Sequence, residues 1–130
     1  MTAPPLITES FVLETPARSG DIATARLRPD PDAAIFAGHY PEFAVIPGAL
    51  LIDISDRLAA VAFGAELAGP RCDIDAAQFR SPLLPRWVID LRAELGVDGD
   101  DTLVRTWFFH ESRKAASVRL RYRSGTGVTC

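Results

Sequence analysis

Pro47-Gly48-Ala49-Leu50-Leu51-Ile52-Asp53-Ile54-Ser55-Asp56-Arg57-Leu58-Ala59-Ala60-Val61-Ala62-Phe63-Gly64 is the stretch that decides the fold. From Ala49 to Phe63 apolar residues fill almost every position, and the run closes at Gly64, a natural helix stop. The run is longer than a typical strand and Pro47-Gly48 suits a helix start, so the stretch predicts an α-helix over Ala49 to Phe63. A helix apolar nearly all round must be wrapped on most sides rather than laid on a surface.

The wrapping is supplied by the sequence on either side. Downstream, Trp87 to Val97 sets Ile89, Leu91, Ala93, Leu95 and Val97 on one face against Asp90, Arg92 and Glu94 on the other. Lys114 to Ser124 repeats the pattern, with Val118, Leu120 and Tyr122 against Arg119, Arg121 and Arg123. Residues 71 to 82 and 102 to 110 read as two further strands, and Asp98-Gly99-Asp100 and Glu111-Ser112-Arg113 fall at the turns. Upstream, Phe11 to Thr15 and Asp21 to Leu27 read as two short strands separated by a turn over Pro16 to Gly20. Ala33 to Pro41 reads as a short helical piece leading into an irregular loop. The expected architecture is α+β, with one long central helix in an antiparallel sheet of five to six strands that has one dry and one wet side.

Composition agrees with a single domain over residues 1–130, since 48% of them are apolar and 24% charged, with no repeat and no shift that marks a linker. The longest nearly apolar stretch, Phe43 to Ile52, is broken by Pro47-Gly48 and falls short of the roughly 20 residues of a spanning helix. Met1-Thr2-Ala3-Pro4-Pro5 lacks the charge and apolar core of a secretory signal, so a cytoplasmic location is expected. Fourteen basic residues against seventeen acidic ones leave a net charge of −3, a poor balance for a general nucleic-acid binder. Cys72 and Cys130 fit no metal-ligand spacing and no disulfide framework, and both read as reduced thiols.

The chemistry-bearing residues gather in Phe36 to Asp53: a histidine in a Gly/Pro-rich loop, a Pro-Gly helix entrance, and a carboxyl inside an apolar helix. Leu50, Leu51, Ile52, Ile54 and Leu58 leave little polar surface around Asp53, and a buried carboxyl is pushed toward the protonated form a catalytic acid needs. Equally, Asp53 can lie on a narrow polar strip with Asp56 and Arg57, paired to Arg57 four residues on. His39 is either a loop histidine bonded to a backbone carbonyl or, with Gly38 and Pro41 fixing its backbone, a base able to take a proton near neutral pH. The Gly48 N–H stands where unsatisfied donors and the helix dipole can polarise a carbonyl oxygen. Asp53 follows roughly 7.5 Å along the axis, within reach of the same small substrate.

These residues resemble a family. Phe36-Ala37-Gly38-His39-Tyr40-Pro41, then Val45-Ile46-Pro47-Gly48, with an acid fourteen residues after the histidine, is similar to the pattern of the hotdog-fold beta-hydroxyacyl-acyl-carrier-protein dehydratases, the FabA/FabZ type. Gln78-Phe79-Arg80-Ser81-Pro82-Leu83-Leu84-Pro85 resembles the family's strand after the central helix, so the likeness runs from about Phe11 to Tyr122. Tyr40 stands where the family has Phe, Ala44 where it has Pro, and Arg57 where FabZ-type members tend to have Gln. Asp53 is the shorter acid of the FabA branch.

The resemblance implies a hotdog fold and cofactor-free dehydration of a beta-hydroxyacyl thioester carried on acyl carrier protein, in fatty-acid or polyketide biosynthesis, with no metal. His39 would remove the α-proton, the Gly48 N–H would hold the thioester oxygen, and Asp53 would protonate the departing hydroxyl. Phe36, Phe43 and Phe79 would line the acyl tunnel, and Gly38, Tyr40, Pro47 and Arg57 would border the substrate. It also implies a dimer, as homodimer or as heterodimer with another hotdog subunit, in which His39 of one protomer works with Asp53 of the other. An acyl thioesterase, or a non-catalytic acyl-binding or scaffold subunit of a heterodimer, fits the same residues. Arg92, Arg119, Arg121 and Arg123 are either a basic patch for an acidic carrier protein or a solvated strand face. His110 is expected to be structural, and Trp87 and Trp107 to be core or interface aromatics.

Overall fold

The computed structural model describes residues 5–36, 45–64 and 72–123. Among them stand β1 (Leu6–Ile7), β2 (Phe11–Leu13), β3 (Ala17–Ser19), β4 (Ile22–Pro29), a 3-10 turn (Ala34–Phe36), α1 (Gly48–Phe63), β5 (Cys72–Phe79), β6 (Ile89–Asp98), β7 (Asp101–His110) and β8 (Arg113–Tyr122). All strand pairs are antiparallel. The order across the sheet is β1-β2-β4-β6-β7-β8-β5, with β3 folded back on β4 beside that path. The sheet has eight strands rather than five or six. β1 and β3 are two and three residues long, too short for alternation to register, and β3 lies inside the segment read as a turn.

The long hairpins are closed by two-residue loops. Asp98 pairs with Asp101, and Gly99 takes the φ of +60° that such a loop requires at its first central position. His110 pairs with Arg113, and Glu111 and Ser112 both lie in the left-handed region, at φ 50° and 66°. This is the type I′ pattern, made here without glycine.

One face of the sheet is dry. Ile89, Leu91 and Ala93 of β6, Val104 and Phe108 of β7, and Val118 and Leu120 of β8 are buried together with Leu50, Leu51, Ile54, Leu58, Ala59 and Phe63 of α1. These helix positions form a single stripe at helical spacing. The opposite flank is open: Ile52, Asp53 and Asp56 are half-buried, and Ala49 and Arg57 are exposed. Among the described residues the helix is covered most fully on the side that faces the sheet, and only Ala49 and Arg57 of its sixteen residues are exposed.

The outward arginines do not form a basic patch. Arg121, only 15% exposed, is held by Asp75, Asp98 and Asp101 at 2.9–3.0 Å, while Arg119 faces Asp75 at 3.5 Å and Arg123 faces Asp73 at 2.5 Å. The hydrogen bond from Arg121 is the main cause that holds the Asp75 carboxyl below its ordinary range, and it acts against partial desolvation. Arg121 is raised in turn, chiefly by Asp75. Trp87 stacks on His110 with ring centroids 3.6 Å apart, which gives His110 its structural place. Trp107 lies under Arg105 and Lys114 on the outer face, half-buried rather than in the core. Among the described residues no helix is long and apolar enough to cross a membrane.

Candidate active site

Pro47 caps α1 in an extended conformation, and its carbonyl accepts from Leu50 N at 3.0 Å and Leu51 N at 3.2 Å. No side chain caps this end. The Gly48 N–H, in the first turn, has no intrahelical acceptor and remains a donor for a ligand oxygen. The entrance is anchored from outside by Ile46 N, which donates to Leu83 O at 2.8 Å in the segment after β5. Phe79, at the end of β5, closes over it: a Cβ on Gly48 would stand 3.0 Å from Phe79 Cζ and 3.1 Å from Cε2. A side chain at this position fits only if the Phe79 ring gives way by a few tenths of an ångström.

Asp53 projects from the open flank of α1. Its carboxyl is 44% exposed, and Oδ2 accepts a hydrogen bond from Arg57 Nε at 2.9 Å. Of the two sequence readings of Asp53, the polar strip is the one present, and the buried unpaired carboxyl is not. One turn further on, Asp56 Oδ1 accepts the Tyr122 hydroxyl at 2.7 Å. Both carboxyls face a cleft of about 490 Å³ between α1, β5 and β8, lined also by Ala49, Ile52, Cys72, Asp73, Ile74 and Leu120. That volume suits a small organic ligand.

The described residues thus bring together Pro47, Gly48 and Phe79 at one end of α1, with Asp53 and Arg57 following on its open flank. Phe36 is 4% exposed and belongs to the core rather than to this cleft. Gly38, His39, Tyr40 and Phe43 lie outside the described residues. Tyr122 and the β5 wall (Cys72, Asp73, Ile74) were not singled out as site residues in the sequence. The available signal was Asp56, three residues after Asp53 and hence on the same face; its bond to Tyr122 spans 66 positions and leaves no local trace. Among the described residues no cluster of His, Cys, Asp and Glu is arranged to hold a metal ion.

Comparison with known proteins places these observations. A segment of the FabZ 3-hydroxyacyl-acyl-carrier-protein dehydratase of Polynucleobacter asymbioticus is 35% identical over 71 residues, covering 49% of this chain and 48% of that protein. The FabZ of Bordetella pertussis is 33% identical over 70 residues, covering 45% and 46%. The chain spans about half the length of the curated relatives it matches. In structure it is similar to a chain of the dehydratase heterocomplex ApeI:P of Xenorhabdus doucetiae, with TM-score 0.64 and 19% identity over 95% of this chain and 100% of that one. It is equally similar to mouse thioesterase superfamily member 2, with TM-score 0.64 and 13% identity over 84% and 85%. At such identities the likeness establishes the fold, which is the hotdog fold. The family model described as ApeI-like, ApeI dehydratase, matches residues 15–119, and on that match the chain belongs to the ApeI-like family of hotdog-fold dehydratases.

Proposed function

We propose that this protein dehydrates a beta-hydroxyacyl thioester, carried on the phosphopantetheine arm of an acyl carrier protein, to the enoyl thioester without a cofactor. The observation that carries the reading is the placement of the uncapped Gly48 N–H and the Asp53 carboxyl on one helix, roughly 7.5 Å apart along its axis. That spacing matches opposite ends of a bound three-carbon unit. The thioester oxygen accepts from the Gly48 N–H, which stabilises the enolate that forms as His39 takes the α-proton. The double bond then forms, the β-carbon to oxygen bond breaks, and Asp53 supplies the proton that makes the hydroxyl leave as water. His39 ends protonated and Asp53 ionised, and one proton passed through solvent resets both.

Arg57 conditions this cycle. Its Nε occupies Asp53 Oδ2 at 2.9 Å, so the guanidinium has to leave that oxygen before the β-hydroxyl can reach it. The edge strand β5 exposes Ile74 at 54% and Phe79 at 51%, beside the open flank of α1. A second hotdog subunit covering both would bring the opposite wall and the His39 of the other protomer to the cleft.

The Asp53 to Arg57 pair also favours a second reading, a silent subunit of a heterodimer, in keeping with the heterocomplex named for the Xenorhabdus relative. Mass spectrometry of a beta-hydroxyacyl carrier substrate after incubation separates the readings. Loss of water supports the dehydratase, release of free acid a thioesterase, and turnover only after addition of another hotdog protein the partner subunit. An unchanged substrate both with the protein alone and after addition of another hotdog protein overturns the proposal.

A further inference from the structure

The cleft has a direction. With the thioester oxygen at Gly48 and the β-hydroxyl at Asp53, the remainder of the acyl chain heads toward the C-terminal end of α1, along its open flank. The next cleft-facing group there is Asp56, one turn and about 4.5 Å beyond Asp53. Asp56 is not a loose surface carboxyl, because the Tyr122 hydroxyl, from a side chain that is 5% exposed, holds it at 2.7 Å. The facing wall offers Asp73, occupied by Arg123. The walls nearer the reacting carbons are apolar, with Ala49, Ile52, Ile74 and Leu120. Apolar side chains therefore flank the reacting centre, and the first helix group beyond Asp53 in the cleft is a fixed carboxyl.

Resting on the dehydratase reading, we propose that Asp56, positioned by Tyr122, is the specificity-determining residue of this cleft. It selects acyl groups that are short beyond the β-carbon, or that carry a hydrogen-bond donor there, over longer plain alkyl chains. A methylene chain laid across Asp56 strips water from a carboxyl group and returns no hydrogen bond, whereas a hydroxyl-bearing chain returns one. Tyr122 matters because its hydrogen bond keeps the carboxyl from swinging out of the chain's path.

The test compares kcat/KM for four-carbon and eight-carbon beta-hydroxyacyl carrier substrates in the wild type, Asp56→Leu, Asp56→Asn and Tyr122→Phe. Asp56→Leu is expected to raise the eight-to-four-carbon ratio about tenfold, with smaller rises for Asp56→Asn and Tyr122→Phe. The amide variant keeps the shape of the residue and supplies the answer should the leucine variant fail to fold. A merely structural role for Asp56 would lower both substrates together and leave the ratio unmoved, which overturns the proposal. Calorimetric binding of the matching acyl-pantetheine amides, which cannot react, separates this failure from that of the dehydratase reading. Selective binding that Asp56→Leu relaxes, without turnover of any substrate, upholds the specificity and removes the reaction. Turnover with an unchanged ratio does the reverse, and absence of both binding and turnover overturns the two together.

Discussion

Arg57 Nε donates to Asp53 Oδ2 across 2.9 Å, one helical turn along the open flank of α1. Both side chains are nearly half exposed, so the pair contributes little to stability. Arg57→Gln is expected to cost no more than about 0.5 kcal/mol by denaturant melting. The same change is expected to raise turnover severalfold, because it leaves Asp53 Oδ2 open to the β-hydroxyl. A loss of turnover would instead give Arg57 a direct hold on the substrate.

Gly48 and Phe79 form a second close pair. Gly48→Ala drives a methyl group into the Phe79 ring, and because that ring is half exposed and can swing away, the expected cost is about 1 kcal/mol, at the low end for overpacking. The double variant Gly48→Ala/Phe79→Ala is expected to lose less than the sum of the single changes, by about 0.5 kcal/mol or more, in a thermodynamic cycle. Additive losses would show that the ring and the helix entrance do not communicate.

The β7 to β8 turn holds two non-glycine residues in the left-handed region, and that conformation costs about 1–2 kcal/mol per residue. Glu111→Asn with Ser112→Gly suits the type I′ turn and is expected to gain about 1 kcal/mol after the added freedom of the unfolded chain is subtracted. A rise in Tm of about 4 °C in calorimetry is the corresponding readout.

Arg121 ties together Asp75, Asp98 and Asp101, and its hydrogen bond holds the Asp75 carboxyl below the ordinary carboxylate range. A lowered carboxyl stabilises the fold at pH values above its unfolded value, and the contribution disappears as pH falls through the lower, folded value. Tm is therefore expected to fall as pH drops below about 4. Arg121→Met should lower Tm at pH 7, where three aspartates are left facing one another, and should flatten the acid limb of the curve. An unaltered acid limb would show that the network carries no proton linkage.

The legible part of the fold was the part with long local patterns. The apolar run of α1 and the strict alternation of β6 and β8 each fix an element without reference to the rest of the chain. Arg121 was illegible because three carboxylates from 20 to 46 positions away neutralise it, a consequence of strand register that alternation does not encode. Asp53 was ambiguous for a related reason. Its helix neighbours are apolar, but whether they bury it depends on which flank the sheet covers, and the sheet covers the stripe of Leu50, Leu51, Ile54 and Leu58 instead. The Pro47-Gly48 entrance was readable from local chemistry, while the Phe79 ring upon it, 31 residues away, was expected only by resemblance.

Single-turnover assays of the wild type, His39→Ala and Asp53→Asn with a beta-hydroxyacyl carrier substrate, scored as enoyl product and paired with a melt to confirm folding, test the central claim most directly. Each variant is expected to lose about 10²–10⁴-fold in rate while remaining folded, as removal of a general base or general acid does. Wild-type rates in either folded variant would contradict the paired imidazole and carboxyl mechanism.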